Sequence, residues 1–246
     1  MSYFAFHLFF VLPPIVLLAA IQPKPLAGVK GQKAGLALLL IVVVAFVYTT
    51  PWDNYLVWHN VWGYGQDRVV GTIGYVPIEE YLFFMLQPIL TGLWLYWLCA
   101  RYHLESVTHD SLKPNIAMFL FGATVSITGF LMLRSPTTLY LGLILAWATP
   151  VLTLQWAVGT AQLWNLRRLW LLGTVVPTLY LWVIDRVAIA QGIWHISETY
   201  TTGLQLWGLP IEEATFFLIT NLMVVQGLLL FLAIKSPSQI VKLIAR

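Results

Sequence analysis

Charge is what this sequence has least of. Asp, Glu, Lys and Arg together make up 9% of the 246 residues, against about a quarter in a typical water-soluble domain. With 59% of residues apolar, the chain reads as an integral membrane protein. Cysteine is scarcer still. Cys99 stands alone, which excludes an internal disulfide and a thiolate metal cluster. The net charge of +3 is too small to imply nucleic acid as a partner. Nucleotide-binding signatures are missing too. "GYGQDRVVG" (Gly63 to Gly71) has only the first two glycines of a dinucleotide fingerprint in register, and neither a P-loop nor a zinc-type Cys/His spacing occurs.

Long apolar runs are what the chain has in abundance. A bilayer core of roughly 30 Å takes about 20 apolar residues in a helix. Seven stretches qualify: 3–21, 34–51, 77–99, 114–134, 137–159, 166–188 and 209–234. They are continuous rather than alternating, which argues against a membrane barrel. The expected fold class is therefore all-α, an integral membrane protein of seven transmembrane helices. The last run has no lysine before Lys235, which argues against a retinal Schiff base. His7, inside the first run, reads as a packed residue rather than a ligand. Pro13, Pro14, Pro150 and Pro177 are expected to kink their helices. The first run has no basic segment before it, so it reads as a retained span rather than a cleaved signal.

Seven crossings put Lys24, Lys30, Lys33, Arg101, Lys113, Arg167, Arg168, Lys235, Lys242 and Arg246 on one side, and only Arg68, Arg134 and Arg186 on the other. The basic side is normally cytoplasmic. The expected topology has the N-terminus outside and the C-terminus in the cytoplasm, in the cell (inner) membrane. The acids show the opposite bias. Asp53, Asp67, Glu79, Glu80, Asp185, Glu198, Glu212 and Glu213 lie toward the outer side, and only Glu105 and Asp110 toward the inner.

One passage is written twice. "VPIEEYLFF" (Val76 to Phe84) returns as "LPIEEATFF" (Leu209 to Phe217). The likeness extends backward: Asp53 aligns with Asp185 and Trp62 with Trp194, 132 positions apart. One extra residue near Trp207 makes the spacing 133, so that Glu79 and Glu80 meet Glu212 and Glu213. The expected organisation within one membrane domain, 1–246, is repeat one over 1–100, a connector helix over 114–134 and repeat two over 135–234. Two three-helix repeats joined by one helix are parallel, related by a pseudo-twofold axis along the membrane normal. Both glutamate pairs then enter from the same face and converge.

Proline suits the first helical position, and carboxylates in a first turn suit the helix dipole. The pairs are therefore open to a purely structural reading. Two adjacent acids, however, point about 100° apart, so at least one of each pair faces inward. Ionisable groups inside a membrane are costly and by default suspected of function. Glu79 shares a stripe with Phe83 and Leu86, and Glu80 with Phe84 and Gln87; Glu212 aligns with Phe216, and Glu213 with Phe217 and Thr220. A carboxyl group pressed against aromatic rings loses water, which favours its protonated form, and a protonated acid is a proton donor. Trp52, Tyr55, Trp58, Trp62, Tyr64, Trp182, Trp194, Tyr200 and Trp207 read first as an interfacial belt. Trp62 and Trp194 differ in recurring at equivalent places beside the acids, and aromatic faces stabilise cations. Acids within aromatic walls suit a reaction that makes a carbocation in an apolar substrate.

"PIEEYLFFMLQPILTGLW" (Pro77 to Trp94) and "LPIEEATFFLITNLMVVQG" (Leu209 to Gly227) closely resemble the paired signatures of the membrane-integral, non-flavin lycopene cyclases. Over nearly its whole length the chain resembles the fused form of the bacterial heterodimeric and fungal bifunctional cyclases. The resemblance implies an isomerase, or intramolecular lyase, that converts the linear ψ end groups of lycopene to β-rings through a carbocation. That reaction has no net redox change and requires no cofactor or metal. The implied acid–base set is Glu79, Glu80, Glu212 and Glu213, with Asp53 and Asp185 as second choices. Trp62, Phe83, Phe84, Gln87, Trp194, Phe216, Phe217 and Asn221 would line the slot, and Arg68 and Arg186 would pair with the acids. The implied partners are lycopene, or a related linear carotenoid entering from the bilayer, and membrane lipid; a homo-oligomer is left open. Two other readings stay beside this one: a carotenoid 1,2-hydratase on the same scaffold, and a non-enzymatic transporter or pigment-binding protein.

Overall fold

The computed structural model describes residues 1–22, 29–102 and 115–233. Helices dominate them: α1 (Tyr3–Ile21), α2 (Val29–Trp58), α3 (Ile78–Arg101), α4 (Ile116–Met132), α5 (Leu139–Asn165), α6 (Arg167–Ala190) and α7 (Ile211–Ala233). All but α4 are long and apolar enough to cross a membrane, while α4 has 17 residues, about 25 Å of helix. Phe9, Val47, Phe121 and Val183 stand exposed on the outer faces of these helices. In water such faces would drive aggregation; in lipid they are the expected covering. The chain is a multi-pass membrane protein. Lys24, Lys113, Lys235, Lys242, Arg246, Glu105, Asp110 and the side chain of Lys30 lie outside the described residues.

Two helices run further than the sequence expectation: the second, and α5, which continues past 159 to Asn165. The second helix does not stop at Pro51 but continues to Trp58. Membrane helices tolerate an interior proline better than soluble ones, and Pro51 lies inside this helix rather than at its end. As a result Trp52 is a buried helical residue rather than part of an interfacial belt. Trp58 and Trp207 remain exposed, as a belt requires. Within α5 the backbone leaves helical geometry at Gly159 (φ −113°, ψ 17°), because glycine resists such departure least. In α1 the disturbance is a π-helical stretch, His7–Val11, just ahead of Pro13 and Pro14.

The segments linking the helices at the glutamate end carry short strands. β1 (Trp62–Tyr64) pairs antiparallel with β4 (Trp194–Ile196), Gly63 opposite His195. Two small hairpins, β2 (Thr72–Ile73) with β3 (Val76–Pro77) and β5 (Gln205–Leu206) with β6 (Leu209–Pro210), each run straight into a glutamate-bearing helix. The second hairpin turns on Trp207 and Gly208, both at positive φ (52° and 81°), as a two-residue hairpin turn of this kind requires.

The helix α4 is held to α5 by close backbone approach. A Cβ on Gly129 would stand 2.8 Å from the Ala146 backbone nitrogen, which cannot swing aside. Gly129→Leu is therefore expected to destabilise the protein by about 1–3 kcal/mol, read as a lower thermal midpoint in detergent. An unchanged midpoint would refute close packing there.

Candidate active site

The two glutamate-bearing helices start alike. Pro77 caps α3 in an extended conformation, and the first helical amides reach back to the preceding loop: Ile78 N–H to the Gly71 carbonyl at 3.0 Å and Ile211 N–H to the Leu204 carbonyl at 2.9 Å. The first glutamate of each pair continues this tie. Glu79 Oε1 accepts from the Val70 N–H at 2.8 Å. Glu212 Oε1 accepts from the Thr202 N–H and hydroxyl, both at 2.7 Å. Glu79 and Glu212 thus fasten a loop to a helix start, although both are buried.

The second glutamate of each pair turns inward instead. Glu80 Oε2 accepts from the Tyr3 hydroxyl at 2.6 Å and the Tyr64 hydroxyl at 3.2 Å. Glu213 Oε1 accepts from the Tyr140 hydroxyl at 2.6 Å and Trp62 Nε1 at 3.0 Å. Burial, reinforced by the carboxyl of Glu80, pushes the Tyr64 phenol well above its ordinary range, so Tyr64 is a donor and not a phenolate. Asp185 Oδ1 accepts from Trp194 Nε1 at 2.8 Å, and its Oδ2 has no partner. Asp53 is fully buried with neither carboxyl oxygen hydrogen-bonded, within electrostatic reach of Glu80 and Glu213. A buried acid without a hydrogen bond costs free energy, so these are the side chains that folding alone explains least.

Glu80, Asp185 and Glu213 face one cavity of about 30 Å³, walled by the rings of Trp62, Phe83, Trp194, Phe216 and Phe217. That is room for a water or two, far less than a ten-carbon end group, so occupation requires the walls to move. An apolar cleft of about 150 Å³ between α2, α3, α5 and α7 adjoins it, sharing Phe83 and Phe216. Val44, on the rim of this cleft, is 57% exposed on the lipid side.

Several expected site residues sit elsewhere. Phe84 lies beside the cleft, not the acid cavity, because its helical phase differs from that of Phe83 by about 100°. Gln87 also borders the cleft, but its amide is committed to Asn221 at 2.6 Å. Asn221 lines neither space: it is fully buried and bonded to Gln87, to Thr91 at 2.6 Å and to Thr178 at 3.0 Å. This ties α3, α6 and α7 together in the manner of polar contacts between membrane helices. The hydrogen bonds to the four glutamates and two aspartates among the described residues come from tyrosine, tryptophan, threonine and backbone groups. The expected arginine pairs are absent from them, and Arg68 instead donates to the Met1 carbonyl at 3.2 Å. His7 is packed as expected, with Nε2 on the Glu79 carbonyl at 2.8 Å and its ring stacked on Phe83.

A family model described as lycopene cyclase matches this chain over residues 1–98 and 135–231. The chain belongs to the lycopene cyclase family. It is similar to the lycopene beta-cyclase of Halobacterium salinarum, with 44% identity over 230 residues, covering 94% of this chain and 95% of that one. It is also 36% identical over 254 residues to the bifunctional lycopene cyclase/phytoene synthase of Arthroderma gypseum, covering 93% of this chain and 41% of that protein. The corresponding Phycomyces blakesleeanus protein is 35% identical over 240 residues, covering 92% of this chain and 38% of that one. No solved structure matches the chain. The lycopene cyclase motif reaches the glutamates but not their donors. The sequence does not single out Tyr3 and Tyr140, and it reads Tyr64 as part of an interfacial aromatic belt. The signal that marks Tyr3 and Tyr140 is that each stands near the start of an apolar run, 3–21 and 137–159.

Proposed function

We propose that this protein cyclises lycopene, converting ψ end groups to β-rings. The observation that carries this reading is the pair of inward glutamates, each held by a tyrosine at 2.6 Å beside a cavity walled with aromatic rings. A protonated carboxyl group delivers its proton to C2 of the terminal C1=C2 double bond. The C1 cation is attacked by the C5=C6 π electrons, forming the C1–C6 bond and leaving the positive charge at C5. Loss of the C6 proton to a carboxylate then gives the C5=C6 bond of the β-ring. One proton enters and one leaves, so the reaction is an isomerisation without redox change. The rings of Trp62, Trp194, Phe83, Phe216 and Phe217 face the space where the charge develops, and π-faces favour cations. Lycopene has no polar group and partitions into the bilayer; the cleft at Val44 supports lateral entry.

The organisation we propose is seven crossings as two parallel three-helix repeats joined by α4, with the glutamate pairs away from the cytoplasm. The bonds Ser197 N–H to the Val61 carbonyl (2.9 Å) and Gly65 N–H to the Ile193 carbonyl (3.0 Å) exchange under a twofold rotation, as 61 with 193 and 65 with 197. The loop ties of Glu79 and Glu212 correspond in the same way. Val70 and Thr202 are 132 apart, while Gly71 and Leu204 are 133 apart. This argues for Gly203, at φ 75°, as the extra residue, rather than one near Trp207.

Expression in bacteria that accumulate lycopene tests the activity. Chromatography of the pigments is expected to show γ- and β-carotene. Unchanged lycopene would refute the reading, and an acyclic tertiary alcohol would turn it to a hydratase.

A further inference from the structure

The two copies are not equal at the site. Trp52 and Ile184 are 132 positions apart, the spacing that relates Asp53 to Asp185 and Trp62 to Trp194. Trp52 is stacked on Phe216 (ring centroids 5.6 Å apart, 7° between planes) and on Trp147 (4.7 Å, 21°), and meets Trp62 edge-on at 6.0 Å. Its indole fills the volume beside Tyr140 and Asp53. On the other side the same place is held by Ile184, which has no ring to fill it. The cavity follows this difference. Tyr3, Ile184 and Asp185 line it, whereas Tyr140, Trp52 and Asp53, their counterparts, do not. The hydrogen bonds break the symmetry in the same sense. Trp194 Nε1 donates to Asp185 within its own copy, while the equivalent Trp62 Nε1 crosses to Glu213.

We propose that Trp52 closes one of two half-sites and Ile184 leaves its counterpart open, so that the protein binds a single carotenoid end group at a time, on the Ile184 side against Tyr3, Asp185 and Trp194. This rests on the cyclase and repeat readings above and makes the residue at 184 the determinant of which half works. Each lycopene molecule must then leave and re-enter reversed, or be handed on, before its second end is cyclised.

The experiment compares wild type, Ile184→Trp and the double exchange Ile184→Trp with Trp52→Ile. Each is purified in detergent, checked for a folded monodisperse state and reconstituted with lycopene, and its turnover is followed by pigment chromatography. Ile184→Trp is expected to lower turnover about 100-fold, the scale on which misplacing a substrate costs rate. The double exchange conserves total side-chain volume and moves the open space to the other copy. It is expected to recover at least about tenfold of that loss, a coupling that independent packing defects would not give. Ile184→Phe, a smaller obstruction, carries the same expectation and guards against misfolding of the tryptophan variant. A folded Ile184→Trp protein with wild-type turnover overturns the proposal, as does a folded double exchange no better than the single. Wild type that leaves lycopene untouched would instead sink the cyclase reading beneath it.

Discussion

Glu80→Gln and Glu213→Gln are each expected to lower the rate of ring formation by about 10²–10⁴-fold, the usual contribution of a positioned proton donor or acceptor. Glutamine keeps the size and the hydrogen-bond acceptor for Tyr3 or Tyr140 but has no proton to give and takes none at this site. Both wild-type side chains face the cavity in which the proton transfers are proposed to occur. Glu79→Gln and Glu212→Gln should differ sharply. Their oxygens accept from loop groups of Val70 and Thr202, and an amide oxygen still accepts, so the expected effect is a stability loss of about 1 kcal/mol with turnover largely kept. Pigment chromatography alongside thermal unfolding separates the two classes. The assignment fails if position 79 or 212 proves indispensable while positions 80 and 213 tolerate the amide.

Tyr3→Phe and Tyr140→Phe follow in size. A hydrogen bond to a charged group is worth about 1.5–3 kcal/mol, which converts to roughly 10–150-fold in rate if the bond holds the reacting carboxyl in place. Phenylalanine keeps the ring packing, including the contact of residue 3 with Trp194 at 4.9 Å, so folding should survive. The larger loss is expected at Tyr3, which lines the cavity, and the smaller at Tyr140, which does not. Initial rates in reconstituted vesicles check this. Equal losses at the two positions would count against a single working half-site.

Much of the site was legible because its signals are local. The doubled proline–glutamate–glutamate passage marks two helix starts, and a carboxyl group in an apolar run stands out against a chain with 9% charged residues. The division of labour within each pair was not legible. Adjacent residues on a helix point about 100° apart, and which one faces the core depends on how the helix is rotated, fixed here by the loop amides that capture Glu79 and Glu212. The arginine pairing that the resemblance implied is not seen for a related reason: sequence shows that Arg68 lies on the acid-rich side but not that its guanidinium turns to the Met1 carbonyl. The resemblance implied that Asn221 lines the slot, but the packing of α3 and α6 against α7 makes it a lock between helices.

By itself the sequence determined that this chain lives in lipid, that it is helical, that it contains the same acidic helix entry twice, and that its chemistry is of the kind proton donors perform on hydrocarbons. Composition and periodicity suffice for the first two because each follows from what a single segment must do to avoid water, the doubled entry is read directly from the repeated passage, and the chemistry rests on the resemblance to the non-flavin lycopene cyclases. Only the tertiary structure decided that Tyr3 and Tyr140 hold the inward glutamates, that Ile184 lines the acid cavity while Trp52 does not, and that Phe84 and Asn221 stand apart from it. Those outcomes depend on contacts between segments far apart in the chain, where helix rotation and side-chain volume, rather than residue type, set which groups meet.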